Sequence, residues 1–86
     1  MKIQNKKLLE SYINFIKNIK NYSDHTCKAY KNDLVQYLSF LDSKQKNLFD
    51  NEDYVDYLFG TGIAKSTINR KLTSVNSFLM WASKLD

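Results

Sequence analysis

"STINRKLTSVNSFLMW", residues 66–81, holds no acidic residue, carries adjacent cations at Arg70 and Lys71, and repeats apolar side chains at three- and four-residue intervals. Those intervals run through Ile68, Leu72, Val75 and Leu79 to Ala82, which makes them one buried stripe of an α-helix. The opposite side carries Ser66, Arg70, Ser74 and Ser77, with Thr67, Asn69, Lys71 and Thr73 beside them. An ordinary solvated helix face alternates Glu with Lys; this one offers small hydroxyls and amides instead. Such groups pair with phosphate oxygens and base edges, Arg grips guanine or phosphate in two-point fashion, and a helix N-terminus presents free N–H groups to an anion. A nucleic-acid groove accounts for all of these features together. Docking onto another protein, or a chance excess of polar residues on an exposed helix, accounts for them separately.

The same helical spacing governs the rest of the chain, which has no proline and both of its glycines in the "GTG" at 60–62. Leu8, Leu9, Tyr12, Ile13, Phe15, Ile16 and Ile19 form a stripe on a first helix expected over residues 5–20. In "NYSDHTC", Ser23 is a good N-cap, Asp24 suits the first turn, and Tyr22 with Cys27 occupy the positions of a hydrophobic staple. A second helix is therefore expected from Asp24 to about Leu41, with Tyr30, Leu34, Tyr37, Leu38 and Leu41 inward, and a loop in "DSKQKN". Asp50, flanked by Phe49 and Tyr54, is read as the cap of a short third helix carrying Val55, Leu58 and Phe59 as far as Gly60. The fourth helix opens after Gly62 with either Ser66 or Ala64 at its cap, the latter letting Ile63 and Ile68 form the staple. The expected fold is all-α: one compact four-helix domain spanning 1–86, with residues 1–6 flexible.

Composition excludes several classes. At 43% hydrophobic with 12 aromatics, 86 residues suffice for one modest core rather than a disordered tail. The first apolar segment is broken by Glu10, Ser11 and Asn14, so it is neither an export signal nor a membrane span. A single cysteine, Cys27, cannot form an internal disulfide and suits a reducing, cytoplasmic location. The net charge of +4 is unevenly placed: residues 1–31 hold seven Lys and two acids, 32–60 two Lys and six acids, and 61–86 four cations and one acid. Two basic ends around an acidic middle suit a polyanion met by the ends.

Other candidate sites read more simply as structure. His25 and Cys27, two apart on a helix, diverge, and no second Cys or His completes a metal shell, so no metal or cofactor is expected. Glu52, Asp53 and Asp56 resemble paired carboxylates, yet a dipole-favoured helix start explains them. The six tyrosines lack the cations that phosphoryl transfer to a tyrosine needs, since the chain has one arginine, and most lie in or beside apolar stripes. Phe78 and Trp81 are expected to close the end of the bundle. Helix two presents a side matching that of helix four, with His25, Thr26, Lys28, Ala29, Lys31 and Asn32, where Ala29 permits close approach.

Together, "YSDHTCKAYKNDLVQYLSFL" (22–41) and "GIAKSTINRKLTSVNSFLMW" (62–81) resemble the N-terminal core-binding, or SAM-like, domain of tyrosine recombinases, which include the Xer recombinases and phage integrases. The matching positions are Ser23, His25, Thr26, Tyr30, Asp33, Leu34, Thr67, Ile68, Arg70, Leu72 and Phe78, and it is their joint order and spacing that is specific. The resemblance covers about residues 8–82. It implies an orthogonal SAM-like bundle forming one half of a clamp around double-stranded DNA at a recombination half-site, with helices two and four at the major groove. Carried over by position, Thr26, Lys28, Ala29, Asn32, Ser66, Asn69, Arg70 and Ser74 would lie at the DNA; the residues read directly from the two faces add Lys31, Lys65 and Thr67. Many relatives place a second arginine where this chain has Asn76, which puts that phosphate contact in doubt. The family's catalytic residues belong to a C-terminal domain, so this chain is expected to be inactive alone, monomeric in isolation, and partnered by other recombinase protomers only in the full-length protein. The main alternative is a helical protein-interaction domain of the SAM or death-domain sort.

Overall fold

Ser23 starts the central helix as its residue type demands. In the computed structural model, which describes residues 2–85, its side chain accepts a hydrogen bond from the Thr26 backbone N–H at 3.1 Å. Four helices follow one another: α1 (Ile3–Asn18), α2 (Asp24–Lys44), α3 (Tyr54–Gly60) and α4 (Lys65–Ala82), with no strand among the described residues. The fold is a compact all-α four-helix bundle. None of the described helices is long and apolar enough to cross a membrane.

α2 is the hub: it packs along α4 on one side and α1 on the other, and α3 closes against α4. Leu34, Tyr37, Leu38 and Leu41 are fully buried there, meeting Leu9, Tyr12 and Ile16 of α1, and Ile68, Val75 and Phe78 of α4, in one cluster. Truncating such a side chain to Ala costs roughly 2–5 kcal/mol, so this cluster holds α2 and α4 in register. Trp81 and Phe78 close the end of the bundle as expected, Trp81 lying 5.2 Å from the Tyr12 ring and Phe78 5.3 Å.

Several expectations are corrected. α2 continues three residues past Leu41 and stops where Gln45 turns left-handed (φ 54°), with the Lys46 N–H reaching back to the Leu41 carbonyl at 2.9 Å. The third helix starts after Asp53, not Asp50, with no capping hydrogen bond from the Asp53 side chain, and Phe49, expected to staple it, is 53% exposed. Ile19 and Phe59 lie at 68% and 56% exposure because α1 has ended before Ile19 and because α3 buries only Tyr54 and Leu58. α1 runs from Ile3 to Asn18 rather than over 5–20; Met1 lies outside the described residues. α4 is capped by Ala64, which leaves Ile63 and Ile68 at the staple positions, Ile68 buried and Ile63 packed on the core.

Candidate nucleic-acid interface

A buried carboxylate joins the two helices whose polar sides drew attention. Asp33 of α2 is 1% exposed, a costly place for a charge unless it is paired and hydrogen-bonded. Three donors from α4 supply that pairing. Arg70 Nη2 lies 3.0 Å from Asp33 Oδ1, Lys71 Nζ lies 3.1 Å from the same oxygen, and the Ser74 hydroxyl donates to Oδ2 at 3.0 Å. Positions 70, 71 and 74 occupy one turn of α4, so they converge on a single point of α2. Two cations on one carboxylate leave this group with a net positive charge.

The clamp fixes which surfaces become neighbours. Ser77 lies beside the Tyr30 hydroxyl, one turn before Asp33, so α2 and α4 run in opposite directions along this seam. Tyr30 is partly buried there, and that burial first, then the neighbouring Tyr22, pushes its phenol up. Helical spacing from Asp33 puts Ala29, Asn32 and Gln36 on the solvent flank of α2, and spacing from Ser74 puts Arg70, Ser77, Ser66 and Thr73 on the solvent flank of α4. No acid stands on either flank. The Arg70 side chain is 56% exposed and bridges them, one nitrogen on Asp33 and the rest of its fork toward solvent.

The expected site residues separate into groups. Lys28, Asn32, Lys65, Ser66, Asn69 and Arg70 are exposed; Thr26, Ala29 and Thr67 are half-buried. Thr26 is also engaged in the α2 cap, its hydroxyl 3.0 Å from that of Ser23. Ser74 is corrected: at 1% exposure it faces the helix seam rather than solvent, its hydroxyl 3.0 Å from Asp33 Oδ2 and 3.2 Å from the Arg70 carbonyl. Lys31 is exposed on the other side of α2, lining a groove with Lys6, Leu9, Glu10, Ile13, Asn14 and Val35. Lys65, nine residues before Ser74 and thus half a turn out of phase, projects from the side of α4 away from the seam. Asp33, Lys71 and Gln36 were absent from the sequence-derived set, although an acid flanked by the inward Tyr30, Leu34 and Tyr37 signalled a buried partner for a cation.

The acidic middle is organised separately. Lys46 lies 3.1 Å from Asp53 and 3.5 Å from Asp50, and its ammonium is pushed up, first by the hydrogen bond to Asp53. Asp50 and Asp53 before α3 are thus both tied to one loop lysine.

Comparison with known proteins then decides the family. The model of the phage integrase N-terminal SAM-like domain matches residues 9–84, nearly the whole chain. The chain belongs to that family. Among proteins similar to this SAM-like domain are the tyrosine recombinases XerC of Staphylococcus aureus strains bovine RF122 / ET3-1 and MRSA252, each 32% identical over 82 residues. The XerC of strain JH9 is 29% identical over the same length. In each case the match covers 90% of this chain and 28% of the relative, so the SAM-like domain corresponds to little more than a quarter of those recombinases. No solved structure is a significant match.

Proposed function

We propose that this chain is the DNA-binding N-terminal domain of a site-specific tyrosine recombinase, and that it lays the joint α2–α4 surface against duplex DNA at a recombination half-site. One observation carries the reading. The two flanks free of acid adjoin along a seam where Arg70 is held by a buried carboxylate with most of its side chain still in solvent. A guanidinium fixed at one end and open at the other is suited to a phosphate or a guanine edge. Family membership and the XerC relatives, named as tyrosine recombinases, support the same assignment.

Lys28, Ala29, Asn32, Ser66, Asn69 and Arg70 form the proposed contact set, with Thr26 and Thr67 at its margins; Ser74 acts from behind it. Lys31 and Lys65 contribute long-range attraction to the polyanion rather than direct contact at the seam. Cleavage and rejoining of DNA fall to other parts of such a recombinase, because one arginine and one histidine cannot surround a tyrosine nucleophile with the cations that phosphoryl transfer requires. The setting is the cytoplasm, and the further partners are other recombinase protomers.

Binding should be salt-dependent and weak. Contact with about four phosphates gives a log–log slope near −3.6, with non-specific dissociation constants of roughly 10⁻⁶ M or weaker at physiological salt. Fluorescence anisotropy with a labelled duplex of about 20 base pairs, two helical turns, measures both. Association that ignores salt, or none at about 0.1 mM domain, overturns the reading, the former in favour of protein docking.

A further inference from the structure

The Asp33 clamp holds a surplus of charge, and that surplus has a consequence for recognition. Asp33 needs one positive charge for neutrality but receives two, from Arg70 and Lys71 at the same oxygen. The two cations are not equivalent. The Lys71 side chain is 15% exposed and closed in against the carboxylate, whereas the Arg70 side chain is 56% exposed. A lysine ammonium is a point charge that can balance Asp33 without any preferred direction, while a guanidinium bound through one nitrogen is oriented and retains further donors.

We infer that Asp33 and Lys71 are positioning residues for recognition: Lys71 balances the Asp33 charge, so that Arg70 is aimed by Asp33 yet keeps its own charge for DNA. The inference rests on the proposed α2–α4 interface and adds a division of labour within it. Without Lys71, Asp33 draws on the charge of Arg70 alone. Without the Asp33 carboxylate, both cations are released, and Arg70 meets DNA as a mobile charge rather than an aimed fork.

The two halves make opposite predictions for the salt dependence of binding to a mixed-sequence duplex of about 20 base pairs. Asp33→Asn should steepen the log–log slope by up to about 0.9, one further phosphate neutralised. Lys71→Met, which keeps the stem and the Asp33–Arg70 pair, should make the slope shallower by up to about 0.9, or roughly 3.5-fold less loss of affinity between about 50 and 200 mM salt. A merely structural role would lower affinity in both variants without moving the slopes apart. Circular dichroism verifies the fold of each; if Asp33→Asn does not fold, Lys71→Met alone decides, and an unchanged slope in it overturns the inference.

A readout without DNA separates this inference from the reading beneath it. The NMR signals of the Arg70 guanidinium should show restricted rotation in the wild-type chain and averaged, fast rotation in Asp33→Asn, or, if that variant is unfolded, in Asp33→Ser. A wild-type domain that fails to bind duplex overturns the proposed interface while leaving Arg70 restricted. A wild-type domain that binds with a freely rotating Arg70 overturns the aiming role while leaving the interface standing.

Discussion

Replacing Arg70 by Ala touches fold and recognition at once, and the structure separates the two. The mutation deletes one of three donors to a carboxylate that is 1% exposed. Breaking a buried pair outright costs roughly 3–5 kcal/mol because a bare charge is left behind. Here Lys71 and Ser74 stay in place at 3.1 and 3.0 Å, so Asp33 keeps a counter-ion and a hydrogen bond. The loss reduces to one hydrogen bond to a charged group, about 1.5–3 kcal/mol, lowered toward about 1–2 by the solvent that screens the exposed side of Arg70. For a domain of this size each kcal/mol moves the melting temperature by roughly 4–8 °C, so a fall of about 5–15 °C is expected in a thermal melt followed by circular dichroism. Arg70→Lys, which retains charge without the fork, should recover part of it. At a temperature well below both transitions, the fully folded Arg70→Ala domain should also bind duplex about 1–3 kcal/mol more weakly. An unchanged melting temperature would show that Arg70 does not hold Asp33, and an unchanged affinity in the folded variant would remove Arg70 from the interface.

Three other outcomes follow from separate parts of the molecule. Glu52→Ala, an exposed acid at the loop before α3, should alter duplex affinity by less than about twofold in the same anisotropy titration, since surface changes of this sort are within roughly ±0.5 kcal/mol. Tyr37→Phe breaks the 2.6 Å bond from its hydroxyl to the Leu48 carbonyl and should cost about 0.5–1.5 kcal/mol in urea unfolding, whereas Tyr54→Phe, whose buried hydroxyl has no hydrogen-bond partner among the described residues, should leave the midpoint unchanged or raise it. Burial holds the phenols of Tyr12 and Tyr37 up at about 12 against the ordinary 10.0, with Tyr30 and Asp50 respectively as the next causes. The unfolded chain therefore releases these protons first. The tyrosine contribution to stability is complete below about pH 10 and declines as pH rises toward 12, and urea midpoints that stay level across that window would contradict it.

The helices were legible because their apolar spacing is strong, but only one start was: Ser23 caps α2 through its own hydroxyl. By contrast α4, read as opening at either Ala64 or Ser66, starts where Ile63 packs on the core beside the buried Ile68, and α3 has no side-chain cap at all. What the sequence concealed depends on non-local contacts. α2 ends at a left-handed Gln45, a residue type that does not announce such a turn, so its last three residues, Asp42, Ser43 and Lys44, read as loop from their polarity. Ser74 looked like part of a polar face because spacing alone cannot distinguish a hydroxyl facing water from one facing a carboxylate 41 residues away in the chain. Asp33 sits among the inward Tyr30, Leu34 and Tyr37, which signals burial but not its partners; those appear only when the fold brings Arg70, Lys71 and Ser74 to it. The joint flank that remains is smaller than the sequence implied, since Lys31 and Lys65 stand on other sides of their helices.

The central claim is that one continuous surface, made by α2 and α4 around Arg70, meets duplex DNA. Amide NMR signals followed during titration with a duplex of about 20 base pairs test it residue by residue. Shifts concentrated at Lys28, Ala29, Asn32, Ser66, Asn69 and Arg70, reversed by added salt and absent from Tyr54–Gly60, are the expected result. Shifts confined to α3, or a spectrum that the duplex leaves unmoved, would contradict it.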